Sequence, residues 1–257
     1  MSNVTQLRSD MSEAEWQTRV DLAACYRLVD LYGWTDLLGT HLTARVPGEH
    51  DSFLINAYGM LFDEITASSL VKVDKDGNKL SESEYDINPA GFVIHSAVHM
   101  ARPEAGCVMH THTAAGVAVS SLKDGLQPYT QQALTIYANS SYHDFEGIAL
   151  NMDERERLAK DLGDRNIMFL RNHGVLTVGK TIAEAWVWMY RAERASRFQL
   201  AIQQAGVDIT ELSQEVIDTT IGQSAHSISK DGYRPIGVKE WPALLRKLKR
   251  ENPGYDV

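Results

Sequence analysis

The sequence predicts an α/β fold built on a mixed, largely antiparallel sheet, and three observations point there. Helical segments with identifiable caps alternate with short apolar strands. Several strands come in pairs that a tight turn or short loop can join antiparallel. No internal repeat, low-complexity tract or Pro/Gly/Ser-rich linker divides the 257 residues. Residues 1–206 therefore read as one domain with an N-terminal helix. Residues 207–257 read as a tail with a terminal helix, packing on that domain or on a neighbouring subunit.

The elements follow in order. Ser12 and Glu15 form a capping-box pattern ahead of Trp16, Val20, Ala23, Ala24 and Leu28, which share one helical face, and Gly33 ends the helix. Leu42–Val46, Ser52–Ile55 and Leu70–Val73 read as strands, with Asp76-Gly77-Asn78 as a tight turn. Asn88 and Pro89 open a helix that runs through Phe92, His95, Val98 and His99 to Arg102, where Pro103 stops it. Gly106–His112 is a short strand with a polar end, followed by a helix from Ala114 to Leu122 and then a polar loop. Asp153–Leu162 is a charged amphipathic helix closed by Gly163. Asn166–Leu170 and Val175–Val178 are strands around Arg171-Asn172-His173-Gly174. Thr181 with Glu184 caps a long helix to Gln204. Beyond Gly206 the periodicity weakens until a basic helix at Glu240–Arg250.

Composition narrows the function. Apolar residues make up 44% and charged residues 23%, the balance of a chain that buries a core. No apolar run is long enough to span a membrane, and the N-terminus lacks the apolar region of a secretory signal. A net charge of −9 without a basic stripe argues against nucleic acid as a partner. The two cysteines, Cys25 and Cys107, sit among apolar neighbours, which fits a reducing, cytoplasmic compartment.

The chemistry concentrates in histidines. His110 and His112 lie two apart at the end of a strand, where residues i and i+2 share a face and can share one ion, while Thr111 points away. Three imidazoles with a vacant position make a site that can take substrate. His173, in a turn before Gly174, is the candidate third ligand. His95 and His99, four apart on one helix, are a competing pair, and His143 is another option. Spacing alone leaves packed histidines and metal ligands both open.

Taken together, Gly39-Thr40-His41, Arg102-Pro103-Glu104, His110-Thr111-His112-Thr113 and Asn172-His173-Gly174 resemble the class II aldolase/adducin family in order and distance over residues 21–203. The resemblance implies a three-layer α/β/α domain around a largely antiparallel sheet. It implies a divalent ion, usually zinc, held by His110, His112 and His173; Fe²⁺, Mn²⁺ or Co²⁺ suit the same ligands. It also implies a homotetramer with active sites near subunit interfaces. Members include sugar-phosphate aldolases, an epimerase, a dehydratase, aromatic-acid decarboxylases and a branch that uses iron with oxygen. Adducin itself is a cytoskeletal protein without the metal ligands, and this chain has all three.

One departure bears on substrate. Sugar-phosphate aldolases of the family carry Ser-Ser-Glu where this sequence aligns Pro89, Ala90 and Gly91. The phosphate-binding hydroxyls and the acid/base Glu are thus missing. The expected function is a metal-dependent C–C lyase, aldolase or decarboxylase, that stabilises an enolate of a small non-phosphorylated oxo- or hydroxy-acid. The rivals are a non-haem iron oxygenase on the same site and an adducin-like binding module without catalysis. Tyr137, Tyr142 and His143, in the polar loop, are the candidate proton donors. His41 and Asn56 are candidates to orient a substrate carboxylate or hydroxyl. Asp144 and Glu146 are candidate partners for a histidine ligand.

Overall fold

The computed structural model describes Arg8 and residues 11–147 and 153–257. Helix α1 (Glu13–Leu31) starts where the Ser12 hydroxyl accepts the Glu15 backbone N–H at 3.1 Å. The Glu15 carboxylate turns instead to Arg19, whose guanidinium donates to the Leu70 carbonyl at 2.8 Å and ties α1 to the strands. Gly33, at φ +67°, turns the chain out of the helix.

Strands β1 (His41–Arg45), β2 (Ser52–Ile55) and β3 (Val71–Asp74) follow, with a 3₁₀ turn at Phe62–Glu64 between the last two. After β3 the Asp74 carboxylate accepts the backbone N–H groups of Asp76 and Asn78, and Gly77 takes φ +87°. Next come α2 (Pro89–Ala101), β4 (Cys107–Thr111) and α3 (Ala114–Ser121). The chain continues with α4 (Gln131–Tyr137), β5 (Ser140–His143), α5 (Glu154–Leu162), β6 (Ile167–Leu170), β7 (Gly174–Gly179) and α6 (Ile182–Gln204). Helices α7 (Gln214–Ile228) and α8 (Glu240–Glu251) close it.

The seven strands form one sheet in the order β3-β2-β1-β4-β7-β6-β5. Its pairs are antiparallel except β5–β6, so the sheet is mixed and largely antiparallel. Two expectations are corrected. The stretch read as a polar loop after α3 contains α4 and β5, and the weakly periodic tail contains α7.

Helices cover both faces of the sheet. On one face Leu22 and Tyr26 of α1, Val119 of α3, Ile136 of α4 and Trp186 of α6 pack with Met109, Phe169 and Val175 of the strands. On the other face Ile94 and Val98 of α2 and Leu158 and Leu162 of α5 pack on Val108, Met168, Leu170 and Leu176. Strand alternation does the sorting: Cys107 and Met109 belong to the first core and Val108 to the second, so His110 faces α2. Trp186 and Tyr190 stack on each other and pack against Tyr32 and Trp34, which makes them core residues. Leu244, Leu248 and Tyr255 enter the first core, the Trp241 indole donates to Asp21 at 2.9 Å, and Arg27 donates to Asn252 and the Pro253 carbonyl, each at 2.7 Å. Among the described residues no helix is long and apolar enough to cross a membrane.

Candidate metal centre

His110 is the fourth residue of β4 and His112 follows the strand's end. The Thr111 hydroxyl points to the opposite face, against Met189 of α6. His173 comes from the tight β6–β7 connection, whose backbone closes through His173 N–H to the Leu170 carbonyl at 3.1 Å. Asn172 makes that turn at φ +57°, a left-handed conformation that asparagine tolerates better than most residues. Gly174, which follows the turn, is not its left-handed residue. The structure assigns Gly174 a different job. A Cβ there would stand 2.6 Å from the Thr111 carbonyl and about 3 Å from the rings of His112 and His110. Glycine lets β7 and the third histidine come close to the other two.

One ligand atom from each of His110, His112 and His173 lies within 4.8 Å of the others. Among the described residues this is the one group of three or more His, Cys, Asp or Glu arranged that way. The hydrogen bonds decide which nitrogen each ring offers. His110 Nδ1 meets the Val175 carbonyl at 3.2 Å, and His112 Nδ1 meets the Asp36 carboxylate at 2.8 Å. Neither partner has a proton to give, so both Nδ1 atoms carry N–H and both Nε2 atoms present lone pairs. Those two Nε2 atoms are 2.9 Å apart. Two lone pairs at that distance repel unless a positive charge lies between them. Burial, followed by the neighbouring His41, His173 and His112, holds His110 well below the usual imidazole range, so His110 itself is a poor holder of a proton. Burial and His112 likewise lower His173 to about 4. Neutral imidazoles converging through Nε2 are the donor set of a divalent ion.

The structure brings His41 to this centre. It pairs with His110 across the β1–β4 ladder, with ring centroids 5.3 Å apart. His95 and His99 do not chelate; both are fully buried and bonded to the Thr43 hydroxyl, at 2.7 and 2.8 Å. Asn56 is turned away, its carbonyl oxygen accepting the Tyr26 hydroxyl at 2.9 Å. His143 lies on the α5 face with Nδ1 donating to Asp161 at 2.8 Å, and its Nε2 is 3.4 Å from Glu154 without a hydrogen bond. Tyr142 points to the opposite face of the sheet, where its hydroxyl accepts the Leu126 N–H at 2.8 Å. Tyr137 sits at the end of α4, 40% exposed. Within one chain neither tyrosine is brought to the three histidines.

Sequence reasoning missed Asp36. Glu146 pairs with Arg157, and the carboxylate that orients a ligand comes instead from the loop after α1. Gly39 holds that loop tight, its N–H on the Asp36 carbonyl at 2.7 Å. The site is open on the side of His112, whose side chain is 21% exposed, and of Phe145, 6.4 Å from the His173 ring. Clefts of about 680 and 500 Å³ lie elsewhere, around Arg45 and Trp241 and around Arg191 and Lys247.

Comparison with known proteins identifies the family. Residues 20–200 match the model of the class II aldolase and adducin N-terminal domain. A Caulobacter vibrioides protein provisionally named aldolase class 2 protein is 53% identical over 97% of this chain and 95% of its own. Mouse alpha-adducin is 38% identical over 92% of this chain, which spans 33% of that protein. Among solved structures, an aldolase II superfamily protein from Pseudomonas syringae has a TM-score of 0.93 at 46% identity, covering 98% of this chain and all of that one. An L-fuculose 1-phosphate aldolase from Glaciozyma antarctica has a TM-score of 0.79 at 28% identity, covering 93% of this chain and 92% of that one.

Proposed function

Because the chain belongs to the class II aldolase and adducin family, we propose that it is a metal-dependent C–C lyase, of aldolase or decarboxylase type, acting on a small non-phosphorylated oxo- or hydroxy-acid. The observation that carries the reading is the pair of Nε2 lone pairs 2.9 Å apart, each fixed by an acceptor on the far side of its ring, with His173 beside them. An adducin-like module with no ion to hold has no use for that arrangement. His110, His112 and His173 would hold a divalent ion, with zinc the first candidate and Fe²⁺, Mn²⁺ or Co²⁺ compatible. Such an ion supplies positive charge to the oxygen that becomes negative when a bond next to a carbonyl breaks.

The chain's own residues do the rest. The Val175 carbonyl and Asp36 keep the ligand nitrogens unprotonated at the centre. Gly91 brings neither a carboxylate nor a hydroxyl to the site, which separates this chain from its sugar-phosphate relatives; the side chains of Pro89 and Ala90 lie outside the described residues. Decarboxylation suits a site without that carboxylate, because carbon dioxide leaves without a base removing a proton. His143, held by Asp161, is the candidate proton donor on the same face as the triad. Tyr137, exposed at the end of α4, would serve a neighbouring subunit if the chain forms the homotetramer, and Tyr142 would serve in packing. Buried free thiols at Cys25 and Cys107 accord with a cytoplasmic setting.

The test is turnover of a panel of 2-oxo- and hydroxy-acids, followed as aldehyde or carbon dioxide release, before and after chelation. Turnover lost on chelation and restored by one divalent ion is the expected result. Oxygen consumption with iron alone would favour the oxygenase, and an ion-binding protein inert to the whole panel would favour a binding module.

A further inference from the structure

Beside the metal centre lies a chain of buried polar groups that this mechanism does not use. His41 Nδ1 is 2.9 Å from His95 Nε2, and His95 Nδ1 is 2.7 Å from the Thr43 hydroxyl. Thr43 is in turn 2.8 Å from His99 Nε2, and His99 Nδ1 is 3.1 Å from the Ala105 carbonyl. All four side chains are at most 3% exposed. Among the described residues no carboxylate bonds to any of them, so an imidazolium here would be an uncompensated buried charge.

The direction of every proton in this chain follows from its far end. The Ala105 carbonyl only accepts, so His99 carries its proton on Nδ1 and leaves Nε2 bare. Burial, with Arg45 nearby, holds His99 neutral down to about pH 3. Bare Nε2 takes the single Thr43 proton. The Thr43 oxygen must then accept from His95 Nδ1, which leaves His95 Nε2 bare to accept from His41 Nδ1. His41, neutral like the others, ends with a lone pair on Nε2. That atom faces Gly91, where a Cβ would lie 2.0 Å from His41 Cδ2 and 2.4 Å from Nε2. Any side chain at position 91 would displace the imidazole.

We propose that His41 is a specificity-determining residue whose Nε2 accepts a hydrogen bond from a substrate hydroxyl, its polarity set by the relay Ala105–His99–Thr43–His95 and its position kept by Gly91. This rests on the lyase reading for the reaction and narrows its substrate. A lone pair repels a carboxylate or keto oxygen and attracts an O–H, so the group beside His41 is a hydroxyl. The substrate class becomes hydroxy-acids rather than acids carrying only oxo groups.

The test is the tautomer itself, read by long-range ¹H–¹⁵N correlation on protein labelled in histidine, together with binding of glycolate and of acetate to the zinc-loaded protein. Wild type is expected to show His41, His95 and His99 all protonated on Nδ1, and glycolate is expected to shift the His41 Nε2 signal. Thr43→Val is expected to mix the His41 tautomers and to cut the preference for glycolate over acetate about tenfold, the scale of one neutral hydrogen bond. Thr43→Ser, which keeps the hydroxyl, is expected to restore both. His41 protonated on Nε2 in wild type would overturn the proposal even if Thr43→Val does not fold. So would an unchanged preference in a folded Thr43→Val. Neither readout needs turnover: a fixed tautomer with glycolate bound at His41, in a protein inert to every acid, would sustain this inference while sinking the lyase.

Discussion

At the scale of single residues, the site depends on which ring nitrogen carries each proton. Asp36 settles this for His112 from 76 positions away in the chain. Replacing Asp36 by alanine is therefore expected to weaken zinc binding by about 10- to 100-fold. Competition against a chromogenic chelator measures it, and an unchanged affinity would remove Asp36 from the account. The buried histidines also make a pH prediction for the metal-free protein. His41 and His99 are both lowered from 6.5 to about 3, mainly by burial. Between those values the unfolded chain binds more protons than the native one, so stability must fall as pH drops through that window and level off above about 6.5. Urea midpoints from pH 3.5 to 8 should show that slope, and Thr43→Val should alter it little, since the rings stay buried. The clustering of His110, His112 and His173 was legible because each sits in a short motif whose spacing has a geometric meaning. Asp36 was not, since an aspartate in a loop after a helix carries no local mark of the histidine it meets.

At the scale of elements, caps proved the most readable feature. Thr181 accepts the Glu184 N–H at 3.2 Å, and the Glu184 carboxylate takes the Lys180 N–H at 2.8 Å, which starts the 23-residue helix α6. Thr181→Ala is expected to cost about 1 kcal/mol, seen as a lower urea midpoint with an unchanged slope. Three elements escaped, α4, β5 and α7, and for two of them the physical reason is plain. Strand β5 is an edge strand whose Ser140 to His143 run is mostly polar, so alternation gives little contrast. Helix α7 has no buried residue at all, and without a buried face it carries no apolar period to detect. Both lie where the molecule uses local polarity rather than a buried stripe.

At the scale of the whole molecule, the sheet order explains why distant motifs converge. Strand β4 sits at the centre, flanked by β1 with His41 and by β7, whose entry turn carries His173. An alternating set of helices and strand pairs was enough to predict a mixed sheet, but not this order, because nothing local says which strands become neighbours. The resemblance to the family supplied the three-layer architecture and the grouping of the three histidines; the strand order came only with the structure. The tail shows the same limit: Leu248 and Tyr255 join the first core through contacts with distant parts of the chain. The central claim is that this fold gathers three histidines to bind one catalytic ion. Elemental analysis of protein purified without chelators, for wild type and His173→Ala, tests it most directly. About one divalent ion per chain is expected in wild type and a large loss in the variant. A metal-free wild type that fails to take up added zinc, iron, manganese or cobalt would contradict it.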